Sequence, residues 1–166
     1  MIPLTTNLST DPVEQRLQLM DNYQQMANLA NGRVEEWSPV VYGSTLAGAP
    51  TSYSAQRGLY FVRGVFVEVW FAVTWTGHTG TGNMRVTLPF IVSQTRADFF
   101  IGDVSAQNIA FPASTTHVNL SAVNDTTYCD VVASRSGTTR SFVQMSAAGT
   151  LFGHVCYIIK RDLSRR

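Results

Sequence analysis

Three features of the sequence predict a mainly β protein, an antiparallel β-sandwich of jelly-roll type preceded by one N-terminal helix. From Trp37 onward, short runs rich in Val, Phe, Tyr and Thr alternate with clusters of Gly, Asn and Ser. None of these runs keeps a helical period. Upstream of them, a single segment carries both the start and the stop signals of a helix. The 166 residues are 45% apolar and 14% charged, which is enough apolar material for one well-filled core and excludes a disordered chain. The predicted division is an N-terminal arm and helix over 1–36, serving anchoring or assembly, and a β-sandwich domain over 37–166.

The helix is expected over 11–30. Asp11 supplies a capping side chain, Pro12 sits at the first helical position, and Glu14 is placed to return to the cap. Asn31 and Gly32 provide a left-handed stop. At 1.5 Å per residue such a helix is about 30 Å long. Its apolar residues form two overlapping stripes, Val13, Leu17 and Met20, then Leu19, Tyr23, Met26 and Ala30. One stripe would dock on a neighbour, whereas two call for contact on two sides. Packing on its own domain and anchoring in another protein both satisfy that pattern.

Strands are expected over 59–62, 65–75, 84–92, 98–101, 108–111, 117–122, 127–133, 139–145 and 151–160. The segments 77–82 and 134–138 read as hairpin loops, the first of them flexible because three of its six residues are glycine. The run 65–75 bears on assembly. Its odd positions, Val65, Val67, Val69, Phe71, Val73 and Trp75, form a core face, while Phe66, Glu68, Trp70, Ala72 and Thr74 form the other. Phe66 and Trp70 are too apolar for a plain solvent face, so a second layer is expected over them, from another subunit or from the same chain.

The residues that could carry chemistry are few. A net charge of +1 lacks the basic excess that phosphate neutralisation requires, so no nucleic-acid partner is expected. The most apolar stretch contains Arg63 and Glu68, which argues against a membrane span. Met1 to Leu4 is followed at once by polar Thr5, Thr6 and Asn7, unlike a secretory leader. Cys129 and Cys156 lie in separate apolar runs and read as buried free thiols. His78, His117 and His154 show no metal-ligand spacing, and no cofactor or metal is expected. Glu68, Asp98, Asp103, Asp125 and Asp130 are the carboxylates of the β region, and Glu68 is expected to pair with an arginine such as Arg63 or Arg85. With no nucleophile elbow, phosphate loop or zinc-protease motif, no enzymatic activity is expected.

Trp37-Ser38-Pro39-Val40-Val41-Tyr42-Gly43, the segment Tyr53-Ser54-Ala55-Gln56-Arg57-Gly58-Leu59-Tyr60-Phe61-Val62-Arg63-Gly64, and Met84-Arg85-Val86-Thr87-Leu88-Pro89-Phe90 together resemble a segment of tailed-bacteriophage virion surface proteins. The resemblance spans 37–90, about a third of the chain. It implies a homotrimeric jelly-roll-like module on a virion, made in the bacterial host cytoplasm and attached through an N-terminal segment. Fewer than about 40 residues precede the β domain, unlike a fibre with a long shaft. The expected function is therefore a structural capsid decoration or cement protein, bound to itself as a trimer and to the major capsid protein or another virion protein. The alternative is a fibre-tip or head-fibre protein that binds a host receptor or surface glycan. Val13, Leu17, Met20, Tyr23 and Met26 are the expected anchoring residues, and Phe66 and Trp70 the expected trimer contacts.

Overall fold

The computed structural model describes residues 33–94, 101–137 and 139–160. The expected helix over 11–30, with the anchoring residues Val13, Leu17, Met20, Tyr23 and Met26, lies outside the described residues. So does Asp98. The described residues contain ten strands: β1 (Arg33–Trp37), β2 (Val41–Gly43), β3 (Ser52–Arg63), β4 (Phe66–Thr76), β5 (Met84–Thr87), β6 (Ile101–Gln107), β7 (His117–Ala122), β8 (Tyr128–Ser134), β9 (Ser141–Phe142) and β10 (Gly149–Ile158).

The mainly β, antiparallel character matches expectation, but the layering differs. Two stacked sheets are absent among the described residues. One sheet runs in the order β1-β3-β4-β10-β6-β7-β8-β5-β2, with β9 attached to β8. This sheet curls until its two halves face each other across a shared core. Near its far ends, the Val41 amide donates to the Tyr53 hydroxyl at 3.3 Å and the Gln56 side-chain amide donates to the Pro39 carbonyl at 3.0 Å. The curl gives the inward-facing residues the two-sided burial that a sandwich would obtain from separate sheets.

The core lies on the concave face, and β4 supplies its centre. Val67, Val69 and Val73 have no exposure and Trp75 has 1%, as the alternation over 65–75 predicts. Opposite them on β10 are Leu151, Val155 and Tyr157, all fully buried. Burying a side chain of this size contributes about 1.5–3 kcal/mol each. Gly58 and Gly153 also face inward, and their missing Cβ atoms leave room for the rings of Trp37 and Phe71. Those two rings meet edge to face at 6.3 Å.

Several expected elements change. Residues 108–111 form no strand, because Asn108 adopts φ 58° and turns the chain off the end of β6. The run 139–145 contracts to β9 and a single bridge between Asn83 and Gln144. The run 84–92 stops at Thr87, ahead of Pro89, which cannot donate to a ladder, and Val92 rejoins through an isolated bridge to Ile159. In the other direction, β3 starts at Ser52, seven residues before the expected run. A register shift between Tyr53 and Ala55 reverses the alternation there, so Tyr53 and Gln56 both pair with inward-facing β4 residues, Trp75 and Val73. β1 draws residues from both sides of the 36/37 division and pairs with β3 from Arg33↔Val62 to Trp37↔Gly58.

The segment 77–82 is pinned rather than flexible. His78 is buried, and its Nδ1 accepts the Gly80 amide at 2.9 Å. That leaves the proton on Nε2, which donates to the Val41 carbonyl at 2.9 Å. The turn after β4 is thereby tied to β2, closing the curl.

At Gly102 on β6 the neighbouring backbone approaches closely. A Cβ there would fall inside the envelope of the His154 carbonyl oxygen on β10, which cannot withdraw without disturbing the β6–β10 ladder. Gly102→Ala is expected to destabilise the fold by about 1–3 kcal/mol, measured as a lower urea midpoint at unchanged slope.

Candidate functional site

The convex face of the same sheet carries the candidate site. Because side chains alternate, the residues between the core positions of β4 point outward: Phe66, Glu68, Trp70, Ala72 and Thr74. Register sets their neighbours. Trp70 lies between Leu59 on β3 and His154 on β10, and Glu68 lies between Phe61 and Cys156. Val34 on β1 stands beside Phe61. Phe66 is 53% exposed, Trp70 41% and Phe152 49%. These two expected contact residues therefore sit on one outward, largely apolar surface across β1, β3, β4 and β10.

Within that surface Trp70 stacks on the His154 ring, with centroids 5.3 Å apart and planes 24° apart. His154 Nε2 lies 2.9 Å from Glu68 Oε1. Glu68 was expected to meet Arg63 or Arg85, and the structure gives it His154 instead. Arg85 belongs to the opposite half of the sheet, where its Nε donates to Asp130 at 3.0 Å and its guanidinium lies 4.2 Å from the Tyr128 ring centre. His154 is 86 residues from Glu68, and no local spacing could have joined them.

Two hollows flank Trp70. One, of about 740 Å³, lies over β1, β3 and β4 and is lined by Glu36, Arg57, Leu59, Trp70 and Ala72. The other, of about 1040 Å³, lies over β4, β10 and β6 beneath the loop that follows β6. Trp70, Phe152, Asp103, Ser105, Thr115 and His117 contribute to it. The loop is held by Thr115, whose hydroxyl donates to the Pro112 carbonyl at 2.6 Å. Among the described residues of 77–82 and 134–138, none lines either hollow.

Glu68, Asp103, Asp125 and Asp130 each face a basic or imidazole group. Glu68 has His154, and Asp103 is 3.9 Å from His117. Lys160 lies 2.6 Å from Asp125 and, with Gln94, holds that carboxyl below its ordinary value. Asp130 behaves oppositely. Burial lifts its carboxyl above the ordinary value, and the Arg85 hydrogen bond offsets only part of that. Among the described residues no group of three or more His, Cys, Asp or Glu is arranged to hold a metal. No helix of the described residues is long and apolar enough to cross a membrane.

The cysteines separate. Cys129 is buried as expected, and desolvation pushes its thiol up to about 12. Cys156 is exposed, contrary to expectation, because it occupies an outward position of β10 opposite Glu68. Its run is apolar on both faces, so hydrophobicity did not reveal which face carried the thiol.

No protein-family model matches this chain, and no curated protein matches it. Among solved structures, the crystal structure of the Dettilon tailspike protein (gp208) is similar, with a TM-score of 0.57 and 12% sequence identity. The match covers 76% of this chain and 24% of that one. At this identity the likeness is one of fold, and this chain spans about a quarter of the tailspike's length.

Two measurements check the site. A maleimide applied to the native protein is expected to add one label, at Cys156, and a second only after denaturation; two labels under native conditions would contradict the burial of Cys129. For Asp130 the folded pKa is raised, so the stability it contributes is complete below the unfolded value near 3.9 and is lost as pH rises through the folded value. Urea unfolding should show the wild type losing stability relative to Asp130→Asn as pH rises above about 4. A difference that shrinks over that range would reverse the assignment.

Proposed function

We propose that the chain is a structural protein of a tailed-phage virion, a non-enzymatic β module that works as a homotrimer on the particle surface. The observation that carries this reading is the outward apolar face. Phe66, Trp70 and Phe152 are aromatic, about half exposed and on neighbouring strands, and such a surface is normally covered in the working assembly. A threefold arrangement closes on itself and triples the attachment to a partner, which strengthens an individually weak anchor.

The tailspike likeness supports a tail appendage over the head-decoration role expected from the short N-terminal lead. In either position the partner is another virion protein. Light scattering of the full chain is expected to give three times the monomer mass. Trp70→Asp combined with Phe152→Asp is expected to shift it to the monomer while the β-sheet circular dichroism stays unchanged, since both side chains point away from the core. A monomeric wild type would overturn the trimer. Gold-labelled antibody on intact particles separates the locations: label on the tail supports the appendage, and label on the head restores the decoration role.

A second reading, binding of a host-surface glycan, draws on the larger hollow. Its aromatic Trp70 and Phe152 could stack on sugar rings, and Asp103, Ser105 and Thr115 could bond hydroxyls. Binding to purified host polysaccharide that is lost in Asp103→Ala, with the oligomer intact, would favour it.

A further inference from the structure

The two flanks of the convex face differ in charge. Because the sheet is curled, β3 and β1 fall away from the β4–β10 pair on one side, and β6 and β7 fall away on the other. Trp70 and Phe152 stand on the crest between them. On the β3 flank Arg57 is exposed, and among the described residues it has no ion-pair partner. On the β6 flank the Asp103 side chain is 85% exposed, with His117 as far as 3.9 Å away. We propose that these flanks are the two halves of one contact between copies of the chain, in which Arg57 of each subunit binds Asp103 of the next, head to tail around a threefold axis. This pairing rests on the trimer reading and deepens it, by naming which surface of one copy meets which surface of its neighbour.

Register places the two charges. Arg57 pairs with Ala72, Ala72 with Phe152, and Phe152 with Ser105. In the adjacent outward row, Trp70 pairs with His154 and His154 with Asp103. Arg57 and Asp103 therefore end neighbouring rows on opposite sides of the aromatic crest. The strands that carry them are three places apart in the sheet, about 14 Å at 4.8 Å per strand. Within one subunit Trp70 and Phe152 stand between the two charges. Along the strands the rows are only about 7 Å apart, a gap that an extended arginine side chain spans.

Symmetry brings the charges together between subunits. In a closed ring of three, each contact joins two different patches, one from either neighbour. With the crest turned to the axis, the β3 flank of one subunit meets the β6 flank of the next. One strand farther out on each side, exposed Glu36 on β1 and exposed His117 on β7 are again an acid and a base. Apolar area such as Trp70 and Phe152 drives association without direction. Opposite charges beside it fix the register and disfavour the wrong pairing. The planar guanidinium suits this task, because it holds a carboxylate through two parallel hydrogen bonds.

Charge reversal in the full chain tests the pairing, read by light scattering across a dilution series. Arg57→Asp and Asp103→Arg are each expected to raise the concentration at which the trimer half-dissociates by at least about tenfold, and the double variant to return it to within about threefold of wild type. Single reversals without effect, or a double variant as weak as the singles, overturn the pairing and leave the trimer reading standing; a monomeric wild type overturns both. Cross-linking gives a second measurement that does not depend on the reversed charges folding. In a Cys156→Ser background, with Cys129 buried, Arg57→Cys combined with Asp103→Cys is treated with a short bis-maleimide. Links between position 57 of one chain and position 103 of another are expected, closing to covalent trimers on a denaturing gel, while either cysteine alone gives none. Links from 57 to 57 or from 103 to 103 show like flanks in contact, and trimers that yield no 57–103 link between chains place the contact elsewhere; either result overturns the pairing.

Discussion

The pairing of β4 with β10 is the constraint on which the rest of the structure depends. Ten residue pairs run in unbroken register from Gly149↔Trp75 to Ile158↔Phe66. Because side chains alternate along a strand, that one register fixes both faces together. It sets Val69 beside Val155 in the core and, one residue away, Trp70 beside His154 on the outside. A slip of one residue would expose the valine row and bury Glu68. The packing that stabilises the protein and the exposed aromatic surface outside it are therefore two sides of one set of hydrogen bonds.

The curl follows from this pair. β4 and β10 are long, and their concave sides carry residues too large for a flat surface to bury. Trp75, lying against the chain before β10, donates its indole N–H to the Ser146 carbonyl at 3.0 Å. At the other end Tyr157 exchanges contacts with Phe90, whose amide donates to the tyrosine hydroxyl at 3.2 Å. With both ends anchored, the sheet bends round the valines between them, and His78 ties β2 back across the opening. A single sheet thereby obtains the closed core that a sandwich builds from two.

The two outward surfaces have different characters for an electrostatic reason. On the β5–β8 side, Arg85 is bonded to Asp130 and stacked on Tyr128, so its charge is spent within the subunit. On the β4–β10 side Glu68 is paired to an imidazole that itself lies against Trp70. Phe66, Trp70 and Phe152 stay exposed there, with Arg63, Arg57 and Asp103 at the edges of the patch.

The β character and the inner face of β4 were legible in the sequence, because Val67, Val69, Phe71, Val73 and Trp75 recur at every second position and the period of two puts them on one face. The sequence also marked Phe66 and Trp70 as outward aromatic residues. It did not determine the single curled sheet, since sandwich and curled sheet bury the same alternating residues and differ only in how distant strands join. The polar opening of β3 was hidden by the irregularity at Ser54, which shifts the phase of the alternation. Glu68, Trp70 and His154 came together only through the β4–β10 register, and the face assigned to Cys156 followed from it as well. Contacts between strands far apart in the chain leave no periodic trace in either strand, and for that reason tertiary structure alone decided them.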